Sequence, residues 1–278
     1  MDRRVGFIGL GNMGLPIAVN LAKAGFDLTV WDIRPEPLAE LKALGAKVAG
    51  SLRELGERCN FIHIVVVNDA QVEAVVLGGG GQDGVLAGAG PGAKIAIHST
   101  IQPETCRRIA ALARAKGVGV IDAPVSGGAM GARAGTLSLM VGGEDADVEA
   151  CRPVMEVMGK NIFRIAGVGT GQVAKLANNL VGLINLQATR EGLRLARLSG
   201  IDEQRMLEIL KVSSGNSWMV QNWEARKKVV QNYTGSPDGL GQVRYKDMML
   251  ALAAGHEVGA DLPMTALVTQ FTYKTSNE

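Results

Sequence analysis

The first half of the chain alternates between two apolar patterns. Short apolar runs at 4–9, 27–31, 61–67, 94–98 and 118–122 read as strands, and the run Phe61-Ile62-His63-Ile64-Val65-Val66-Val67 is apolar enough to be buried on both sheet faces. Between them, apolar residues recur every three or four positions. That spacing predicts helices over 13–24, with Pro16 in the first turn, over 38–44, and over the amphipathic stretch 103–116. Strands alternating with helices predict an α/β fold with a parallel, doubly wound sheet. The glycine-rich stretch 78–92 reads as a surface connection with room for one short turn. Further strands at 137–141 and 161–165 flank a helix at 145–158, and the first domain is expected to end at 166.

The pattern changes after that point. Val173, Leu176, Leu180, Ile184 and Ala188 recur at helical spacing, and only Gly182 and Gly192 weaken the stretch 171–199. A continuous helix of roughly 28 residues would be about 42 Å long, enough to link two domains. Helical patterns follow at 202–212, 218–231, 243–255 and after Pro263, with no strand pattern beyond 165. The expected organisation is a doubly wound domain at 1–166 and an all-α domain at 167–278 that opens with the interdomain helix 171–199.

A length of 278 residues suits two domains. Aromatic residues make up only 4%, so the core must rest on Ala, Val, Leu, Ile and Met. The net charge of +2 is spread along the chain, which argues against nucleic acid or a membrane surface as a partner. Cys59, Cys106 and Cys151 lie far apart without metal-ligand spacing, as expected of buried thiols in a reducing compartment. Glycines interrupt the first apolar run, and no run reaches membrane-spanning length, so the cytoplasm is the expected location.

Gly9-Leu10-Gly11-Asn12-Met13-Gly14 matches G-x-G-x-x-G between a predicted strand and a predicted helix. Gly9 would permit the tight turn, Gly11 close approach of a pyrophosphate, and Gly14 close helix packing, as in a Rossmann-type dinucleotide site. Asp32 ends the second strand at about the spacing of an acid that binds the adenosine ribose, which favours NAD. Arg34 could accept a 2′-phosphate and keeps NADP open.

Four stretches resemble the β-hydroxyacid dehydrogenase family, the 3-hydroxyisobutyrate dehydrogenase-like enzymes. They are Phe7–Gly14 with Pro16 and Asn20; Asp122-Ala123-Pro124-Val125-Ser126-Gly127-Gly128 with the following Gly131, Ala132, Gly135, Thr136 and Leu137; Gly169–Asn179; and Lys246-Asp247 with Leu250-Ala251. They occur in the family's order across nearly the whole chain. The resemblance implies hydride transfer between a nicotinamide dinucleotide and a small β-hydroxy acid or its semialdehyde. In that scheme Ser126, Gly127 and Gly128 hold the substrate carboxylate, a role their hydroxyl and unhindered amides suit. Lys175 is the general acid and base at the hydroxyl, helped if burial lowers its pKa, and Asn179, four residues on, orients substrate or amine. Gly171 is expected to leave room for the nicotinamide ring. Val66, Val67, Thr100 in its Ser-Thr-Ile-x-Pro run, and Lys246 are expected on the cofactor. Ser213-Ser214-Gly215 with Ser217-Trp218 resembles a segment on the substrate side.

His63, His98 and His256 have no ligand spacing, and no metal is expected. Family chains continue past the last helix with a stretch rich in Gly, Asp, Ser and Ala, whereas this sequence has Tyr273–Glu278 there, which bears on the last substrate or subunit contacts. Apolar positions such as Leu183 and Leu186 suggest a homodimer or homotetramer. The alternatives are an imine or other carbonyl reductase, which Lys175 argues against, and a non-enzymatic dinucleotide-binding protein, which Lys175 with Asn179 argues against.

Overall fold

A computed structural model describes residues 4–231 and 237–272, so Tyr273–Glu278 lies outside the described residues. The chain divides into two compact units, the first ending with Lys175 and the second beginning with Leu176.

The first unit begins β1 (Arg4–Ile8), α1 (Gly14–Lys23), β2 (Asp27–Trp31), α2 (Pro35–Ala43), β3 (Lys47–Val48), α3 (Leu52–Arg58), β4 (Phe61–Ile64) and α4 (Asp69–Leu77). It continues β5 (Gly78–Gly79), β6 (Gln82–Asp83), α5 (Val85–Gly88), β7 (Lys94–Ile97), α6 (Pro103–Arg114) and β8 (Gly119–Asp122). The main sheet has the order β3-β2-β1-β4-β7-β8, with every pair parallel. Side chains alternate across it. Val5, Phe7, Leu28 and Val30 pack with Ile17 and Leu21 of α1, whereas Ile8, Ile62, Ile64, Ile95 and Ile97 pack with Leu55 of α3, Val72 and Val76 of α4, and Ile109 of α6.

The structure corrects the reading of strands and connections in the first unit in three places. The apolar run 61–67 stops being a strand at Ile64, so Val66 and Val67 lie in the loop beyond it. The chain turns there because Asn68 caps α4, its side chain accepting from the Gln71 amide at 3.0 Å. The stretch 78–92 is not a plain connection. It forms the β5–β6 hairpin and α5, whose Val85 and Leu86 are buried. Helix α5 crosses α3 backbone to backbone: a Cβ on Gly56 would lie 2.2 Å from the Val85 oxygen, and one on Gly88 would lie 2.1 Å from the Arg53 oxygen.

Thirdly, the later strands leave the main sheet. After β8 come β9 (Val125–Ser126), α7 (Gly128–Ala134), β10 (Leu137–Val141), α8 (Asp145–Met158) and β11 (Gly159–Arg164). Strand β10 pairs with β11 in parallel and with β9 in antiparallel, giving a separate three-stranded sheet. An isolated bridge between Asp122 and Gly142 ties the two sheets together.

The second unit takes up α9 (Thr170–Leu198) from Leu176 onward and adds α10 (Glu203–Val212), α11 (Trp218–Gln221), α12 (Trp223–Gln231), α13 (Pro237–Val258) and α14 (Pro263–Thr272). Among its described residues it has helices and the turns between them, and no strand. The expected helix 218–231 is broken at Asn222, whose side-chain amide donates to the Trp218 carbonyl at 2.9 Å. Leu183, Leu186, Met248 and Val268 form its larger buried cluster.

His63 and His98 are both buried in the first unit. His98 Nδ1 is 2.7 Å from the Ala123 carbonyl oxygen and so donates to it. His98 Nε2 then accepts from His63 Nδ1 at 2.8 Å. This order leaves His63 Nε2 as a bare acceptor with no partner among the described residues. Burial, and then repulsion from His98, holds the His63 pKa well below 6.5, and burial pushes His98 down to about 4. Unfolded histidines take up protons near pH 6.5, so the stability these rings contribute is present above that pH and lost as pH falls toward 4. The free energy of unfolding from urea titration should fall between pH 6.5 and 4.5, by up to about 1.4 kcal/mol per pH unit for each ring. His63→Phe should flatten that dependence, and an unchanged profile in the variant would remove the pair as its cause.

Candidate active site

In this sheet order the strand sequence reverses between β1 and β4, so a crevice opens at the carboxyl ends of those strands. The loop 9–14 lines it. Gly9 has φ +88°, and a Cβ there would lie 2.2 Å from the Val65 oxygen. A Cβ on Gly14, the first residue of α1, would lie 1.9 Å from the Gly9 oxygen. Both positions need glycine because backbone meets backbone. Gly11 differs: a Cβ there meets nothing within 4 Å. Its bare backbone borders open space in front of α1, and Met13 contributes no side-chain cap to that helix. Leu10, Asn12 and Met13 complete the turn. The loop therefore fits a dinucleotide pyrophosphate, which needs close backbone approach and a helix start.

Asp32 follows β2 and closes the same loop. Its Oδ2 accepts from the Leu10 amide at 2.6 Å, and its Oδ1 accepts from the Arg34 amide at 2.8 Å and from Arg34 Nε at 3.2 Å. Arg34 Nη2 donates back to the Leu10 oxygen at 2.9 Å. Burial pushes the Asp32 pKa up, but the two amides and the guanidinium outweigh it, leaving the carboxyl below its ordinary value of 3.8. Two further loops end at this edge. The Val66 amide donates to Ser99 Oγ at 2.8 Å, joining the loop after β4 to the loop after β7, where Thr100 also sits. Val67 is more than half exposed, and its amide is held by the Gln71 side chain at 2.9 Å.

Asp122, at the end of β8, is fully buried and fastens the start of α9. Its Oδ1 accepts from the Gly169 amide at 2.6 Å and its Oδ2 from the Gln172 amide at 2.7 Å. Gln172 extends the tie: its Nε2 donates to the Ser99 carbonyl at 2.8 Å, and its Oε1 accepts from the Ile101 amide at 3.2 Å. Burial pushes the Asp122 carboxyl up to about 6, against the pull of the amides that bond it. Lys175, one turn beyond Gln172, is 8% exposed. Here the expectation for Gly171 is corrected. A Cβ on it would lie 2.3 Å from the Met140 oxygen and 2.8 Å from the Asp122 oxygen, so the missing side chain makes room for the protein's own backbone rather than for a nicotinamide ring.

Ser126 lies in β9 and is partly exposed, while Gly127 and Gly128 have φ +130° and +62° at the start of α7. The turn needs both glycines, and their exposed amides remain suited to a carboxylate. In the second unit, Asn179 Nδ2 donates to Asp247 Oδ2 at 2.7 Å, and Lys246 Nζ forms a close ion pair with Asp247 Oδ1 at 2.9 Å. Ser213 ends α10 and Ser217 caps α11, with the Val220 amide donating to its hydroxyl at 3.3 Å, so that segment works as a helix-ending turn. His256 lies in the last turn of α13.

The sequence reading missed Asp122, Gln172, Ser99 and Asp247 as ordering residues. All four lie in stretches that resemble the family, but their ordering role rests on partners up to 73 residues away. A cavity lined by Arg4, Asp27, Thr29, Lys47, Glu57 and Arg58 lies at the opposite, amino-terminal end of the strands, where Lys47 pairs with Asp27 at 2.7 Å. Among the described residues no group of three or more His, Cys, Asp or Glu could hold a metal ion, and no helix is long and apolar enough to cross a membrane.

Comparison with known proteins gives this geometry a family. A model of the NAD binding domain of 6-phosphogluconate dehydrogenase matches residues 4–167, and one for the NAD-binding region of NADP-dependent 3-hydroxyisobutyrate dehydrogenase matches residues 169–278. The chain is 40% identical over 267 residues to a 3-hydroxyisobutyrate dehydrogenase of Pseudomonas aeruginosa, covering 95% of this chain and 89% of that protein. It is 38% identical over 269 residues to an NAD-dependent L-serine dehydrogenase of the same organism, covering the same shares. The crystal structure of a 3-hydroxyisobutyrate dehydrogenase from Salmonella typhimurium matches with TM-score 0.85 at 31% identity, covering 98% of this chain and 93% of that one. With a glycine turn shaped for a dinucleotide and a buried lysine near the start of a long helix, the chain belongs to the β-hydroxyacid dehydrogenase family of nicotinamide-dependent oxidoreductases.

Proposed function

We propose that this enzyme interconverts a small β-hydroxy acid and its semialdehyde, with Lys175 moving the hydroxyl proton. One observation carries this reading: Lys175 is buried on the turn of α9 that Asp122 and Gln172 fasten to the loops of the dinucleotide fold. A lysine held in place and shielded from water is suited to proton transfer, whereas a solvated lysine is not. When bound, the dinucleotide supplies or accepts the hydride. The chain's own residues do the rest. Ser126, Gly127 and Gly128 bind the substrate carboxylate through hydroxyl and amides. Lys175 bonds the substrate oxygen, taking its proton on oxidation and returning it on reduction. Asn179, oriented by Asp247, positions the substrate, and Lys246 serves the cofactor.

Gly9, Leu10, Gly11, Asn12, Met13 and Gly14 cradle the pyrophosphate, with Val66, Val67 and Thr100 bordering the nicotinamide half. Asp32 is assigned to the adenosine ribose and NAD is the preferred cofactor, because a 2′-phosphate would meet its carboxylate. Arg34 is the residue through which NADP would be accepted. The enzyme is assigned to the cytoplasm. The exposed apolar side chains of Met264, Leu267 and Phe271 on α14 support assembly as a homodimer or homotetramer.

Lys175→Ala should lower kcat by about 100- to 10,000-fold while leaving the dinucleotide dissociation constant within about twofold of wild type. Absorbance of the reduced nicotinamide, followed over a panel of β-hydroxy acids, measures this; unchanged turnover would remove the proton-transfer role. Asp32→Ala should weaken NAD by more than NADP, since it deletes the ribose acceptor and frees the Arg34 guanidinium. Tighter discrimination in favour of NAD in that variant would reverse the assignment.

A further inference from the structure

Asn20 belongs to the first stretch that resembles the family, yet none of the site chemistry described above uses it. It lies inside α1, the helix that begins at Gly14 of the dinucleotide turn. Asparagine is a poor residue for a helix interior, because its side chain competes for backbone hydrogen bonds. Here the side chain reaches out to another helix. Its Nδ2 donates to the Ala132 carbonyl at 2.9 Å and to the Arg133 carbonyl at 3.3 Å, residues 112 and 113 positions away. Both protons of the amide are thereby used.

Both acceptors lie in the last turn of α7, a helix of seven residues. A helix this short does not hold itself together, and its last carbonyls have no partner within it. The chain supplies part of the remedy. Gly135, with φ +62°, lets the Thr136 amide donate to the Gly131 carbonyl at 2.9 Å, and its own amide reaches the Ala132 carbonyl at 3.3 Å. Asn20 adds the rest from α1. The buried residues of α7 are only Gly131 and Ala132, which offer little apolar surface, so the bonds from Asn20 are the directional part of the contact between the two helices. The other end of α7 runs into the turn Ser126–Gly128. Gly128 is its first residue, and the Gly131 amide donates back to the Gly127 carbonyl at 3.1 Å. A Cβ on Gly127 would lie 3.0 Å, and one on Gly131 3.1 Å, from Leu137 Cδ2, so turn and helix rest on one side chain and move together.

We infer that Asn20 is a positioning residue for the substrate: by fastening the end of α7 to α1, it sets where the turn Ser126–Gly128 presents its donors relative to the dinucleotide loop. The inference rests on the reading of that turn as the carboxylate site. Hydrogen bonds to a carboxylate are strong only when their distances and angles are met, so a small shift of α7 weakens the hold on the substrate. The dinucleotide turn does not depend on the same contact, because the packing of Gly9 and Gly14 and the bond from the Leu10 amide to Asp32 hold it separately.

The test compares, in the full chain with saturating NAD, the β-hydroxy acid that the native enzyme oxidises fastest with the carboxamide of that acid. Asn20→Leu keeps the bulk and removes the donors, and Asn20→Asp keeps the shape but sets oxygens against the two carbonyls. In both, kcat/KM for the acid should fall about 10- to 100-fold, mainly through KM, while kcat/KM for the carboxamide and the NAD dissociation constant stay within about twofold of native. The preference for acid over carboxamide should therefore drop by nearly the whole factor. Asn20→Gln, which keeps the two donors on a longer stem, should recover part of it. The preference is a ratio within one preparation, so it is read even from a variant that folds only in part. A preference left at the native value, or an equal loss on acid and carboxamide, would overturn the inference and leave the carboxylate site standing. A native enzyme that oxidises acid and carboxamide alike, or neither, would remove the carboxylate site itself and the inference with it.

Discussion

The organisation of the catalytic end of the first unit depends on one buried carboxylate. Asp122 ends β8 and accepts from two amides at the start of α9, and Gln172 carries that attachment to Ser99 and Ile101 after β7. A carboxylate buried this far from water is costly unless its lone pairs are met. Here the amides at the start of a helix meet them, and the dipole of that helix favours a negative charge at this end. The result is a fixed position for the first turns of a 29-residue helix, and hence for Lys175. The same contacts tie the loops after β4, β7 and β8 into one edge, since Ser99 also receives the Val66 amide.

The glycines divide into two kinds, and the division explains what each does. Gly9, Gly14 and Gly171 have backbone atoms where a side chain would go, so they let protein pack on protein. Gly11 and Gly128 have nothing within 4 Å of where a Cβ would go, so close backbone packing does not account for glycine there. A motif lists such residues as equals. The structure separates the glycines that close backbone packing requires from those with open space beside them.

Much of this was legible in the amino-acid order. The helix at 145–158 and the strands at 27–31 and 137–141 have the bounds that apolar spacing predicts, because each is long enough to show its period and is flanked by clear breaks. The glycine turn was legible because its geometry is local. Helix α5, with four residues, is too short to show a period, and α3 has only Leu52 and Leu55 as apolar positions among its charged residues. The separate three-stranded sheet was hidden because alternation gives strand positions and not strand partners. Asp122 and Gln172 were hidden for a related reason: a buried polar residue is understood only through partners that folding brings to it from 47 to 73 residues away.

The central claim is that this attachment, and not merely the presence of a lysine, sets the rate of the chemical step. The direct measurement is the single-turnover rate of nicotinamide reduction in Gln172→Leu, a variant that keeps Lys175 and the Asp122 carboxylate but cuts the tie to Ser99 and Ile101. The rate should fall about 10- to 100-fold with the dissociation constants of dinucleotide and hydroxy acid nearly unchanged, as expected when a catalytic group is displaced by a fraction of an ångström. A native rate in a folded variant would contradict the account.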